Sequence, residues 1–328
     1  MREEGIIGKG CDKVFRLQVL ESVDSTNEVI KRAIEGGEPE GLAIRAYRQT
    51  GGYGRQGRAW KSPRGGMYES ILLRPEVDMR ELSTLALVVA IAVRRALASL
   101  VADEQARRIR IKWPNDVVLV GGDFGADCST RDTALELGGH TPCSDSPALE
   151  NSPLGCSRRA ELRAAHARQA QGLQASQTNA PSIKNLYSKL AGISSEVHAG
   201  GICVGIGVNV EPPEDAMEVG GKNAPAYLAD LGFGFTCERE AAINAVGDAI
   251  LREFEPLYRR WCDGGFAALS GEFAEHSMLE GRFVRMANQL GEVVCEGTVR
   301  GVDASGRLLL RLEDGETKAV ASGEVHLL

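Results

Sequence analysis

A helical apolar repeat between residues 82 and 100 does most to limit what this chain can become. Leu82, Leu85, Ala86, Val89, Val93, Ala96, Leu97 and Leu100 recur at spacings of three and four, the period of one helical face. A face that long has to be covered by another layer, and the neighbouring segments offer strands for the purpose. Residues 15–21, 42–49, 67–73, 110–113, 117–120, 190–197 and 202–210 read as strands, and the last is apolar enough to be central. Ser25-Thr26-Asn27-Glu28 has the form of a capping box, so a helix is expected from there to the stop at Gly36-Gly37. Residues 238–261 carry a second helical period. The pattern predicts an α+β body.

Two changes of style divide the chain. From about residue 121 to 182 it is rich in Gly, Ser, Pro, Ala, Gln and Asp, with few large apolar residues, which predicts a disordered insertion. The final segment has short alternating strands at 283–287, 293–302, 307–312 and 317–320. Turn signals at Gly291, Ser305-Gly306 and Asp314-Gly315 separate them, as in a small antiparallel barrel. The expected division is a domain at 1–275 that contains the insertion, then a small barrel at 278–328.

Composition excludes some functions. With 328 residues and a formal net charge of −7, the chain lacks the basic surplus usual for nucleic-acid binding. Its longest apolar stretch, residues 85–100, is interrupted by Arg94 and Arg95, and residues 1–10 lack the apolar block of a signal peptide. The 8 cysteines form no CxxC pair, and His140 with Cys143 lacks a second pair to complete a zinc set. A cytoplasmic chain with reduced thiols, no membrane span and no DNA partner is expected.

The chemistry lies in four short motifs. Residues 49–60, QTGGYGRQGRAW, join glycines that let backbone N–H groups turn toward an anion with two planar cations, Arg55 and Arg58. Trp60 offers a ring for stacking. Alone, such a loop is more often a mobile surface turn. Lys112-Trp113-Pro114-Asn115-Asp116 adds a cation, an amide and a carboxylate at one turn, and the carboxylate suits Mg²⁺. Lys189-Leu190-Ala191-Gly192 adds a lysine at a strand start, and Gly207-Val208-Asn209 ends a buried strand in an amide. Together these form a set for handling phosphate.

Preceded by Asp24-Ser25-Thr26-Asn27, and taken in this order, the motifs resemble those of the biotin–protein ligases. The resemblance implies a mixed sheet flanked by helices, related to class II aminoacyl-tRNA synthetases, with a small SH3-like C-terminal barrel. It implies activation of biotin by ATP and Mg²⁺ to biotinyl-5'-AMP, then transfer to a lysine of a biotin carboxyl carrier domain of a carboxylase. By the same resemblance, Ser25, Thr26, Asn27, Gln49, Gly52, Tyr53, Gly54, Arg55 and Lys189 would hold biotin. Arg58, Trp60, Asn115, Asp116, Lys189 and Asn209 would face ATP or the adenylate. Arg55, Lys112, Lys189 and Asp116 would be catalytic, with Asp116 the candidate Mg²⁺ ligand. A homodimer is compatible with the resemblance. The sequence departs from the family pattern at Tyr53, a position often arginine in relatives, and in the long segment between Asp116 and Lys189. The 14 or so residues before the first strand are too few for the DNA-binding module of bifunctional relatives. The competing readings are a lipoate or octanoate ligase, a non-catalytic biotin-responsive regulator, and an RNA-binding protein with a terminal barrel.

Overall fold

The computed structural model describes residues 15–121, 186–213, 225–234, 238–288 and 290–328. The expected insertion, with His140 and Cys143, lies outside them but for Gly121.

The elements follow in the order β1 (Arg16–Leu20), α1 (Thr26–Glu35), β2 (Leu42–Ala46), β3 (Gly66–Leu73), α2 (Leu85–Ser99), α3 (Asp103–Ala106), β4 (Ile109–Lys112) and β5 (Asp116–Val120). After these come β6 (Tyr187–His198), β7 (Gly201–Asn209), α4 (Arg239–Gly264), α5 (Ser270–His276), β8 (Phe283–Ala287), β9 (Val293–Val302), β10 (Leu308–Arg311), β11 (Thr317–Val320) and β12 (Glu324–Leu327). Seven strands form one sheet in the order β1-β2-β3-β7-β6-β5-β4. β1 and β2 run parallel and every other neighbouring pair antiparallel, so the sheet is mixed.

Each face of this sheet buries its own helices. Ile30 and Ile34 of α1 pack with Leu42, Ile44, Leu72 and Cys203 on one face. On the other, α2 and α4 cover Ala43, Ile71, Leu73, Val204 and Ile206. The alternation in β2 separates two helix layers rather than core from water, and all five of its residues are buried. Its polar member, Arg45, enters the α4 layer, where it meets Glu69 at 2.8 Å and Asp248 at 2.9 Å. The segment 81–99 is long and apolar enough to cross a membrane by length and composition. That goes beyond the sequence reading, which treated Arg94 and Arg95 as disqualifying. Here it is a core helix: Val88, Val89, Ala92, Val93 and Ala96 have no exposed surface.

The C-terminal strands form a five-stranded antiparallel sheet in the order β11-β10-β9-β8-β12. The expected barrel is therefore left open, because β11 and β12 are its two edges and are not paired with each other. Strand β12 and helix α5 were not expected from sequence. Gly306, in the β9–β10 turn, accepts a hydrogen bond on its carbonyl from Trp113 Nε1 at 2.9 Å. That bond ties this sheet to the turn between β4 and β5.

Candidate active site

Two polar clusters form where β3, β5, β6 and β7 meet the loop 49–60. The first is neutral. Ser25 sits at the N-cap of α1, as expected, but its hydroxyl makes no cap bond and is buried without a partner. The capping-box reading fails here because Gln49 takes over the cap. Gln49 Oε1 accepts from Thr26 N at 2.8 Å and from Thr26 Oγ1 at 3.0 Å, while Gln49 Nε2 donates to Ser62 Oγ at 2.9 Å. Glu28 is drawn away to Tyr53. Beneath lies Ser70, whose Oγ is 2.7 Å from Thr26 Oγ1 and 2.6 Å from Asn27 Oδ1. Asn27 Nδ2 faces Ser194 Oγ at 3.5 Å. Gly52 has to lack a side chain, since a Cβ there would lie 2.5 Å from Ser62 Oγ. A buried hydroxyl left open beside oriented amides suits a ligand with neutral N–H and C=O groups.

The second cluster is cationic. Lys112 and Asp116 are paired across the β4–β5 hairpin, and Asp116 pairs with Gly192 on β6. Lys189 Nζ lies 2.6 Å from Asp116 Oδ1 and 5.0 Å from the Trp60 ring centroid. Lys112 Nζ stands 5.6 Å over the Tyr187 ring. Arg55 Nη1 donates to Asn115 Oδ1 at 3.1 Å, and Asn115 Nδ2 donates to the Ile193 carbonyl at 2.8 Å. Asn209 Nδ2 donates to the Lys189 carbonyl at 3.0 Å, fixing the strand that carries the lysine. Trp60 lies against β7 at Gly207, where a Cβ would come within 2.8 Å of its Nε1. The site thus joins a neutral polar cluster to cations grouped around Asn115 and Asp116, as a molecule with a polar ring and an anionic tail would require.

Burial is the main cause that holds the Lys112 ammonium below the ordinary lysine value of 10.5; Asp116 opposes it and Lys189 adds to it. The charge on Lys112 is lost as pH rises through its lowered value, earlier than for a solvated lysine. The same shift costs the fold stability at neutral pH, a cost that shrinks as pH climbs toward 10.5. For any reaction at this site that needs the Lys112 charge, the alkaline limb of kcat/KM is therefore expected below 10.5 and should move upward in Lys112→Arg, whatever that variant's absolute rate. An unmoved limb would assign it to another group. Burial likewise lowers Arg55, with Asp116 opposing and Arg58 adding, but a guanidinium stays charged throughout.

Most of the sequence candidates converge. Arg58 does not join the cations: it turns toward β12, where its Nη2 lies 2.5 Å from Glu324 Oε1, and its side chain is 60% exposed. Asp116 is already engaged by Lys189, and among the described residues no group of three His, Cys, Asp or Glu side chains could hold a metal. Sequence reasoning missed Ser62, Ser70, Ser194 and Glu324. The adjacent polar pair Glu69-Ser70, inside a strand that is otherwise largely apolar, was the available signal.

Residues 19–125 match the biotin/lipoate A/B protein ligase family, and residues 281–328 match the biotin protein ligase C-terminal domain. The second model is named for the biotin enzymes alone. The chain belongs to the biotin protein ligase family. A biotin–[acetyl-CoA-carboxylase] ligase of Mycobacterium tuberculosis (strain ATCC 25618 / H37Rv) is 25% identical over 316 residues, 95% of this chain and 89% of that protein. The enzyme of the same name from Paracoccus denitrificans is 39% identical over 105 residues, 32% of this chain and 42% of that protein. Among solved structures, the biotin protein ligase from Aquifex aeolicus in complex with biotin and ATP superposes with a TM-score of 0.62 at 24% identity. The match covers 95% of this chain and 98% of that one. The shared fold is thus that of the biotin protein ligases.

Proposed function

We propose that this biotin protein ligase activates biotin with ATP to biotinyl-5'-AMP and transfers the biotinyl group to a lysine of a biotin-carrier domain. One observation carries the reading: Arg55, Lys112 and Lys189, from three separate segments, gather around Asn115 and Asp116, beside the buried neutral cluster. That is the charge pattern two anionic reactants need if they are to meet.

In this reading Ser25, Thr26, Asn27, Gln49 and the backbone of residues 52–55 hold biotin. Its carboxylate points toward Arg55 and Lys189. A carboxylate oxygen attacks the α-phosphorus of ATP, the bond to the bridging oxygen breaks, and pyrophosphate leaves. Trp60, Asn115, Asp116 and Asn209 face the nucleotide, and Arg58 reaches it once released from Glu324. When bound, Mg²⁺ would neutralise phosphate charge, and Asp116 would be a ligand for it. The acceptor lysine then attacks the carbonyl as a neutral amine and AMP leaves, its proton passing to Asp116 or to the phosphate. We assign the catalytic domain to residues 1–275, with an insertion at about 121–182, and the terminal domain to 278–328. We place the reaction in the cytoplasm.

Biotin, but not lipoate, should drive pyrophosphate release from ATP; the reverse preference would make the chain a lipoate ligase. Arg55→Ala should slow adenylate formation by roughly a hundredfold and let adenylate leak into solvent, because it removes both a cation and the bond from the loop to Asn115. Unchanged adenylate yield and retention would remove Arg55 from the mechanism.

A further inference from the structure

The loop 49–60 is a small hairpin: Trp60 N donates to the Gly52 carbonyl at 2.9 Å and Gly54 N to the Arg58 carbonyl at 2.8 Å. Its tip, Gln56-Gly57, has positive φ at both residues. An open cavity of about 610 Å³ lies along its outer side, bounded by Glu28, Lys31, Tyr53, Gln56, Gly57 and Glu196. Apolar packing therefore does not hold that side of the loop. What reaches across is Tyr53. Its hydroxyl donates to Glu28 Oε1 at 2.5 Å and accepts from Lys31 Nζ at 2.8 Å. Lys31 Nζ is in turn 2.6 Å from Glu196 Oε2 and 5.1 Å from the Tyr53 ring centroid. One phenol thus joins the loop to α1 directly and, through Lys31, to β6. Both of its hydrogen bonds involve a charged partner, the stronger kind.

We propose that Tyr53 is a positioning residue whose hydroxyl clamps the glycine-arginine loop to Glu28 and Lys31 of α1, holding the loop ordered before substrate binds. The clamp consists wholly of protein groups. Biotin entering a loop already in place does not meet the ordering cost that a free loop would impose on binding. The clamp also fixes the hairpin from which Arg55 reaches Asn115. The benefit to biotin rests on the reading above; the order of the loop does not.

Tyr53→Phe tests it, since it keeps the ring over Lys31 and deletes only the hydroxyl. Brief trypsin digestion of the ligand-free full chain, followed by mass spectrometry of fragments ending at Arg55 and Arg58, reads loop opening directly. Cleavage at these two sites, normalised to cleavage elsewhere in the chain, should rise about tenfold, the effect of losing a hydrogen bond to a charged group. Glu28→Gln, which leaves a weaker neutral acceptor, should give a smaller rise. The KM for biotin in pyrophosphate release should increase about tenfold in Tyr53→Phe, with kcat changed much less. Wild-type cleavage rates in both variants would overturn the clamp. Faster cleavage in Tyr53→Phe, in a chain whose wild type never releases pyrophosphate with biotin, would uphold the clamp and overturn the catalytic reading instead.

Discussion

Alanine in place of Lys189 is expected to slow biotin-dependent pyrophosphate release by about two to three orders of magnitude, the usual cost of deleting one preorganised group aimed at developing charge. The expectation follows from the position of the ammonium. It is 2.6 Å from Asp116 and above the Trp60 ring, on a strand fixed by the Asn209 bond to its carbonyl. Its loss removes a cation and also leaves the Asp116 carboxylate without its partner, in a site that has to accept two anions. The second effect separates this variant from a simple charge deletion. Lys189→Arg, which keeps a cation beside Asp116, should recover part of the lost rate. Rapid-quench measurement of adenylate checks both. A loss below tenfold for the single variant would place the main cation elsewhere, with Lys112 next in line.

The largest expected effect on stability lies away from the chemistry, at Glu69. Neither its side chain nor that of Arg45 has more than 1% exposure, and Arg45 is further held by Asp248 and by Asn244 Oδ1 at 3.2 Å. Glu69→Ala leaves the buried Arg45 guanidinium with Asp248 as its remaining charged partner and should cost about 3 kcal/mol, a drop in Tm on the order of 10 °C. Replacing both partners by apolar residues, as in Arg45→Met/Glu69→Leu, should restore much of that loss, since the cost of a broken buried pair is mostly the charge left behind. Differential scanning calorimetry of the two variants decides the matter. Equal destabilisation would mean that the pair carries net stability of its own.

The fold was legible where period and burial agreed. The repeat 82–100 became α2, and the glycine-rich apolar run 202–210 became the central β7, because both are buried on every side the pattern required. It was less legible at β2, where alternation marks two helix layers, and at α1, where a glutamine 23 residues away takes the cap that the local sequence promises to Ser25. Such substitutions depend on a loop returning to the helix, which no local window records. The cationic half of the site could be read because lysine and arginine at strand ends stand out in short motifs. Its neutral half could be read only in part: Ser25, Thr26, Asn27 and Gln49 stand in short motifs, whereas Ser62, Ser70 and Ser194 are ordinary residues whose meaning comes from their burial together. The salt bridge of Arg58 to Glu324 joins positions 266 apart in a chain of 328, beyond any motif's reach.

Incubating the full chain with biotin, Mg-ATP and a biotin-carrier domain, then weighing the carrier intact, tests the account most directly. The account predicts the mass gain of one biotinyl group on a single lysine, absent without ATP and nearly absent with Lys189→Ala. A carrier of unchanged mass, from a preparation whose folding and biotin binding are intact, would contradict the claim that these converging cations drive acyl transfer.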